Sequence, residues 1–204
     1  KKGRKSAQNI STETFDKYLV NLTTDFISKK IILDIGSGNG ESTLFLSRKY
    51  PNNLIIASEI YQDGNTNLCQ ELHRNEIDNV KIFNQNVLIL FEEFKLDNLI
   101  KEIWILFPDP WPKKKHSKRR LINSSFIEKV FYLLEENGKI YIVTDNSSYF
   151  ISILKTFYLS RLFKWNNDLP DKWDYNIYFG YKTKYFKKAL RNKKKSFIII
   201  FQKI

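Results

Sequence analysis

The sequence predicts an α/β fold: a doubly wound, mostly parallel sheet with helices on both faces. Three observations predict it. Short apolar, β-rich runs alternate with amphipathic stretches along the 204 residues, the pattern of βαβ units joined by right-handed crossovers. The first of these runs are continuously apolar, as in strands covered on both faces. The first run also leads through a glycine-rich turn into a helix, at the strand end where open α/β sheets bind ligands.

The elements follow in order. Lys1 to Lys5 opens a mobile basic arm over residues 1–10. Residues 15–27 read as a helix before the first strand, with Phe15, Leu19, Leu22 and Phe26 on one face. Strands are expected over residues 31–35, 54–58, 80–83, 103–107, 140–144 and 196–202. Helices are expected between them over 41–49, 62–75, 88–100, 124–136 and 147–159. In the fourth of these helices Phe126, Val130, Leu133 and Leu134 recur three or four apart. Asn123 suits its N-cap, and Gly138 a turn before the next strand. Residues 165–192 are irregular, aromatic and basic, and read as a substrate-facing insertion. With no internal repeat and no visible boundary, residues 1–204 are expected to form a single domain.

Composition bounds the partners. Formal net charge is +12, and it is clustered. Of 34 basic residues, four lie in Lys1 to Lys5, six in Lys113 to Arg120 and six in Lys187 to Lys195. Clustered positive charge favours a polyanion such as RNA or DNA. Generic solubility and lysine enrichment from an AT-rich genome are the plainer alternatives. An anionic membrane is disfavoured because no basic amphipathic helix stands out, and no apolar run approaches the ~18 residues needed to span a bilayer. Cys69 is the single cysteine, so a reducing cytoplasm is expected. With His73 and His116 the only histidines, no metal site is expected. The chain contains no methionine, which suits a processed protein or a domain cut from a longer chain.

Residues 103–120, IWILFPDPWPKKKHSKRR, carry the densest signal. The apolar run Ile103, Trp104, Ile105, Leu106, Phe107 stops at Pro108. Asp109, Pro110, Trp111 and Pro112 follow, and six of the next eight residues are Lys or Arg. A carboxylate and an aromatic beside dense positive charge suit a nucleic-acid base with its phosphates close by. The bland alternative is a basic surface loop with a Pro-Asp-Pro turn.

Residues 31–41, IILDIGSGNGE, supply a matching cofactor site. Gly36, Gly38 and Gly40 let the backbone turn tightly and approach a ligand without Cβ obstruction. Glu59 ends the second strand, where an acid can accept hydrogen bonds from both ribose hydroxyls of a nucleoside. Nicotinamide and S-adenosylmethionine sites share this much. Three details favour S-adenosylmethionine. The spacing is GxGxG. Asp34 precedes the first glycine, where its charge suits a sulfonium and an amino group but would repel a pyrophosphate. Asn86, just beyond the third strand, is placed to hydrogen-bond an adenine edge.

With these residues in place, the chain resembles the bacterial-type tRNA (guanine-N7)-methyltransferases, class I S-adenosylmethionine-dependent enzymes, over nearly its whole length. The most specific mark is residues 107–120, FPDPWPKKKHSKRR. Supporting marks are residues 34–40, DIGSGNG, with Glu59, Thr144-Asp145 and Thr183-Lys184-Tyr185. The resemblance implies a seven-stranded, Rossmann-like class I methyltransferase sheet. It implies that Asp34, Gly36, Gly38, Glu59, Asn86 and Asp109 contact S-adenosyl-L-methionine, with Asp109 the active-site acid. It implies that Lys113, Asp145, Thr183, Lys184 and Tyr185 contact tRNA, whose variable-loop guanine is the target. Neither a metal nor a membrane is implied, and the oligomeric state is a monomer or a homodimer. Two departures stand out. The family usually has an acid where this chain has Asn86, and Glu where it has Phe186. A Glu at that position could accept hydrogen bonds from the guanine N1–H and exocyclic amine.

Guanine N7 has an in-plane lone pair and no proton, so methyl transfer is expected as direct in-line displacement without a general base. The protein's task is then positioning and stabilising the cationic product with a carboxylate, Asp109 first and Asp145 second. Trp111 either stacks on a base or packs internally. Rival readings are an exocyclic-amine methyltransferase, since Asp109-Pro-x loosely resembles an Asp-Pro-Pro-Tyr loop, a non-catalytic RNA-binding subunit, and a nicotinamide oxidoreductase.

Overall fold

The structure is a computed structural model that describes residues 10–21, 30–175 and 183–204. Seven strands hydrogen-bond in the order β3-β2-β1-β4-β5-β7-β6. They are β1 (Ile31–Ile35), β2 (Leu54–Ser58), β3 (Val80–Phe83), β4 (Ile100–Leu106), β5 (Leu134–Thr144), β6 (Phe163–Trp165) and β7 (Phe197–Lys203). The helices are α1 (Thr12–Tyr18), α2 (Glu41–Lys49), α3 (Gln62–Arg74), α4 (Val87–Glu93), α5 (Ser124–Leu133), α6 (Ser147–Ser160) and α7 (Lys184–Arg191). Two compact units share the chain: one holds residues 34–94 with the N-terminal segment, the other residues 30–33 and 95–204.

In the first unit β1 ends and β2 pairs parallel with β3, Ile55 opposite Val80 through Ser58 opposite Phe83. Every residue of β2 is buried, which explains the unbroken Leu-Ile-Ile-Ala run. Here the helix expected over 15–27 is corrected. Helix α1 ends at Tyr18, because Leu19 turns extended and bridges Ile82, and the Val20 amide donates to the Ile82 carbonyl at 3.1 Å. The chain leaves its helix to cover the exposed edge of β3. Residues 22–27 of that expectation, like the 1–9 part of the basic arm, lie outside the described residues. Helix α4 is also shorter than expected, ending at Glu93 rather than Ile100.

In the second unit β4 and β5 run parallel, Ile103 opposite Ile140 through Leu106 opposite Val143. β7 lies antiparallel between β5 and β6. Asparagines cap α4, α5 and α6 from Asn86, Asn123 and Asn146, each accepting a backbone N–H two or three residues on. Helix α5 runs straight into β5, so the expected turn at Gly138 falls inside the strand. The register nevertheless slips there: Ile100 faces Leu134, but Glu102 already faces Lys139. Asn137 is left-handed at φ 62°, and a Cβ on Gly138 would sit 2.8 Å from the Glu135 carbonyl oxygen. Gly138 therefore marks an irregularity in the β4–β5 ladder rather than a loop.

The region expected as an irregular insertion, 165–192, is anchored where described. Asn167, 1 % exposed, donates to the Lys172 and Ile198 carbonyls and accepts from the Ile200 amide. The Trp165 and Trp173 indoles also donate to it. Helix α7 then returns the chain to β7. Residues 176–182 of the insertion lie outside the described residues.

Candidate active site

The first unit presents a loop with an unsatisfied acid behind it. Asp34 is the penultimate residue of β1, a strand whose five residues are all buried. Its Oδ2 accepts from Ser42 Oγ and Thr43 Oγ1, both at 2.7 Å. These hydroxyls lie in the first turn of α2, where no sequence pattern marks them. Among the described residues, Asp34 Oδ1 and Ser37 Oγ are buried with no hydrogen-bond partner. Burial pushes the Asp34 carboxyl up to about 6, against the lowering effect of the two hydroxyls, and the charge of Glu59 adds to the rise.

Gly36, Gly38 and Gly40 all adopt positive φ, which is why glycine occupies them. A Cβ on Gly36 would meet nothing within 4 Å, whereas one on Gly40 would strike Leu68 of α3. The first glycine thus faces open space and the last serves helix packing. Gly64 of α3 belongs to the same device, since a Cβ there would collide with the Gly38 carbonyl. Next to it, Asn65 donates to the Glu59 carbonyl oxygen at 2.9 Å. A glycine and an amide inside an amphipathic helix carry no pattern that marks them in a sequence.

Glu59 organises the loop from below. Oε2 accepts from the Gly38 amide at 2.9 Å, and Oε1 from the Ile60 and Tyr61 amides at 2.8 and 3.0 Å. A carboxylate offers about four lone-pair positions, so two ribose hydroxyls would compete with these backbone donors. Asn86 is exposed, and its carboxamide oxygen accepts from the Leu88 amide at 3.0 Å, which leaves its NH2 as the group for an adenine edge.

The second unit carries the acidic, proline-flanked loop. Asp109 is exposed between two residues in left-handed backbone, Phe107 at φ 54° and Trp111 at φ 38°, a conformation that is strained for bulky side chains. The Phe107 amide donates to the Val143 carbonyl at 2.8 Å, tying the loop to β5. Trp111 is half-buried, edge-on to His116 with ring centroids 5.8 Å apart and under the Arg119 guanidinium at 5.0 Å. Lys113 is exposed and precedes a 3-10 turn, Lys114–Arg119. Arg120 donates from Nε to the Pro110 carbonyl at 2.9 Å.

The remaining sequence-expected residues fall in this unit with different roles. Asp145 Oδ2 lies 3.4 Å from Lys194 Nζ, a partner the sequence did not indicate. Thr183 is 5 % exposed and caps α7, its Oγ1 accepting from the Phe186 amide at 3.1 Å. Lys184 is exposed. Tyr185 is 57 % exposed, its ring 6.2 Å from that of Phe107 and inclined by 23°. Phe186 is buried and stacks on Tyr175 at 4.2 Å. Among the described residues no group of three or more His, Cys, Asp or Glu could hold a metal ion, and no helix is long and apolar enough to cross a membrane.

Comparison with known proteins converges on one activity class. A family model described as "Putative methyltransferase" matches residues 28–199. A tRNA (guanine-N(7)-)-methyltransferase of Leptospira interrogans is 40% identical over 156 residues, 76% of this chain and 66% of that protein. The chain thus spans about two thirds of that relative's length. The protein of the same name from Wolbachia pipientis is 31% identical over 189 residues, 90% of this chain and 82% of its own. Among solved structures, an antibiotic-related methyltransferase superposes with a TM-score of 0.62 at 16% identity, covering 98% of this chain and 99% of that one. At that identity the likeness concerns the fold alone, and it agrees with the seven-stranded mixed sheet found here. The expectation drawn from the Pro-Asp-Pro-Trp loop and the glycine turn is met, and the chain belongs to the tRNA (guanine-N(7)-)-methyltransferase family.

Proposed function

We propose that this chain transfers a methyl group from S-adenosyl-L-methionine to N7 of a guanine in the variable loop of tRNA, working in the cytoplasm. The observation that carries the reading is Asp109, an exposed carboxylate held between two strained residues, with a run of cations opening at Lys113 directly after Pro112. The cofactor fits the first unit's chemistry. Asp34 Oδ1, buried without a partner, suits the cationic end of such a ligand. Gly36 leaves open space where a side chain would stand. Glu59, with about one lone-pair position left beside its three backbone donors, would accept one ribose hydroxyl, and the Asn86 amide would face an adenine edge. S-adenosyl-L-methionine, when bound, supplies an electrophilic methyl group on a sulfonium.

The chain's own residues then position and stabilise. Guanine N7 attacks with its own lone pair, so no side chain has to remove a proton. Asp109 orients the base and offsets the positive charge that develops on it. Lys113 and the basic turn hold neighbouring phosphates. Asp145 can face the base only if Lys194 releases it. Thr183 acts by starting α7, which presents Lys184 and Tyr185.

A methyl-transfer assay with labelled S-adenosyl-L-methionine tests this, using tRNA transcripts with and without a variable-loop guanine and cleavage chemistry selective for 7-methylguanine. Label and cleavage are expected only when that guanine is present. Asp109→Ala is expected to lower turnover by roughly 10²-fold or more while leaving RNA affinity nearly unchanged. Label on an exocyclic amine, or full turnover by Asp109→Ala, would refute the reading.

A further inference from the structure

Arg120 ends the basic run, and by charge alone it would be one more phosphate contact. Its surroundings differ from those of the lysines before it. Arg120 is only half-exposed. Its Nε donates to the carbonyl oxygen of Pro110, the residue after Asp109, at 2.9 Å. Its guanidinium lies 4.9 Å from the ring centroid of Tyr149, within the range of a cation–π contact. Tyr149 is a rigid platform. It is 0 % exposed, its hydroxyl accepts from the Ile122 amide at 3.4 Å, and its own amide donates to the capping Asn146 at 2.8 Å.

The loop needs such a tie. Phe107 and Trp111, on either side of Asp109, both sit in left-handed backbone, and strained residues of this kind persist only where the surroundings hold them. The Val143 carbonyl holds the Phe107 side. Arg120 holds the other side. Asp109 and Arg120 also both act electrostatically on Tyr149, whose phenol is raised mainly by burial. We propose that Arg120 is a positioning residue, which fixes the 107–112 loop and hence Asp109 through Pro110, rather than a phosphate ligand. This rests on the reading of Asp109 as the active-site acid.

Side-chain chemistry makes the two roles separable. Glutamine carries an amide nitrogen where arginine carries Nε, so Arg120→Gln keeps the donor to Pro110 and loses the charge. Lysine has a methylene at that place, so Arg120→Lys keeps the charge and loses the donor. In the methyl-transfer assay Arg120→Gln is expected to keep kcat within about threefold, while Arg120→Lys loses roughly ten- to hundredfold. The RNA KM and its salt dependence should not change in either. A phosphate ligand predicts the reverse: Arg120→Lys close to wild type, and Arg120→Gln with a raised KM and a salt slope shallower by about one. That result, or Arg120→Gln no better than Arg120→Lys, overturns the proposal. Amide hydrogen exchange at Phe107, Asp109 and Trp111, the residues of the loop that carry an amide hydrogen, decides it without activity. Exchange should be faster in Arg120→Lys than in wild type or Arg120→Gln, and equal exchange in all three overturns it. A wild-type protein that methylates no tRNA would fail the functional reading, while the exchange comparison would still decide whether Arg120 holds the loop.

Discussion

Asp34 shows how one buried side chain couples fold to ligand. Its position before the first glycine made it a candidate from spacing alone, but its partners were not legible, because Ser42 and Thr43 look like ordinary first-turn helix residues. The carboxyl is pushed up to about 6, whereas an unfolded aspartate titrates near about 3.9. The folded form therefore keeps its proton to higher pH. This favours folding below about pH 4, and the contribution is lost as pH rises to about 6, a difference of roughly 3 kcal/mol. A cationic ligand end reverses the preference, since it draws the proton off. Affinity for S-adenosyl-L-methionine, measured by calorimetric titration, should rise between pH 5 and 7 in the wild type and stay low and flat in Asp34→Asn. The fall in melting temperature between pH 4 and 6 should also flatten in that variant. A wild-type affinity independent of pH over this window would place the cationic end of the ligand away from Asp34.

At the scale of elements, periodicity and composition located β1, β2 and β3 to the residue, because short, mostly apolar runs stopped by Gly36, Glu59 and Asn84 have few other readings. They failed where a neighbour decides. Three-residue β6 exists only because β7 pairs with it, and α1 ends early because the edge of β3 takes Leu19. Helix α7 was hidden for a similar reason: Thr183 was visible as part of a substrate motif, not as a cap. The same helix recasts the Phe186 departure. With Phe186 2 % exposed and stacked on Tyr175, restoring the usual acid would bury a carboxyl among aromatics. Phe186→Glu is therefore expected to destabilise by roughly 2–7 kcal/mol, lowering the melting temperature by about 2–4 °C for each kcal/mol, and not to raise turnover. An unaltered melting temperature, or higher turnover, would mean that the 186 side chain can turn toward the substrate.

For the whole molecule the governing quantity is the net charge of +12 and its clustering. The clusters were plain in the sequence, but which cations are available to a polyanion was not. Lys194 is engaged by Asp145, Arg119 covers Trp111, and Arg120 is tied to Pro110 and Tyr149. Lys113, just before the 3-10 turn, and Lys115 and Lys118 within it remain exposed. Each phosphate neutralised releases counterions, so binding should fall linearly on a log–log plot against salt, with a slope of about −0.7 to −0.9 per contact. Fluorescence anisotropy with labelled tRNA from about 50 to 200 mM salt should show a steep slope. Replacing Lys113, Lys115 and Lys118 together by alanine should make it shallower by roughly two to three without altering the melting temperature. Lys194→Ala should act differently. Its charge is already countered by Asp145, so the slope should change by less than about one, while the freed Asp145 changes kcat. An equal loss of slope from Lys194→Ala and from each turn lysine would mean that the ion pair opens whenever RNA arrives, and that Lys194 binds phosphate as the others do.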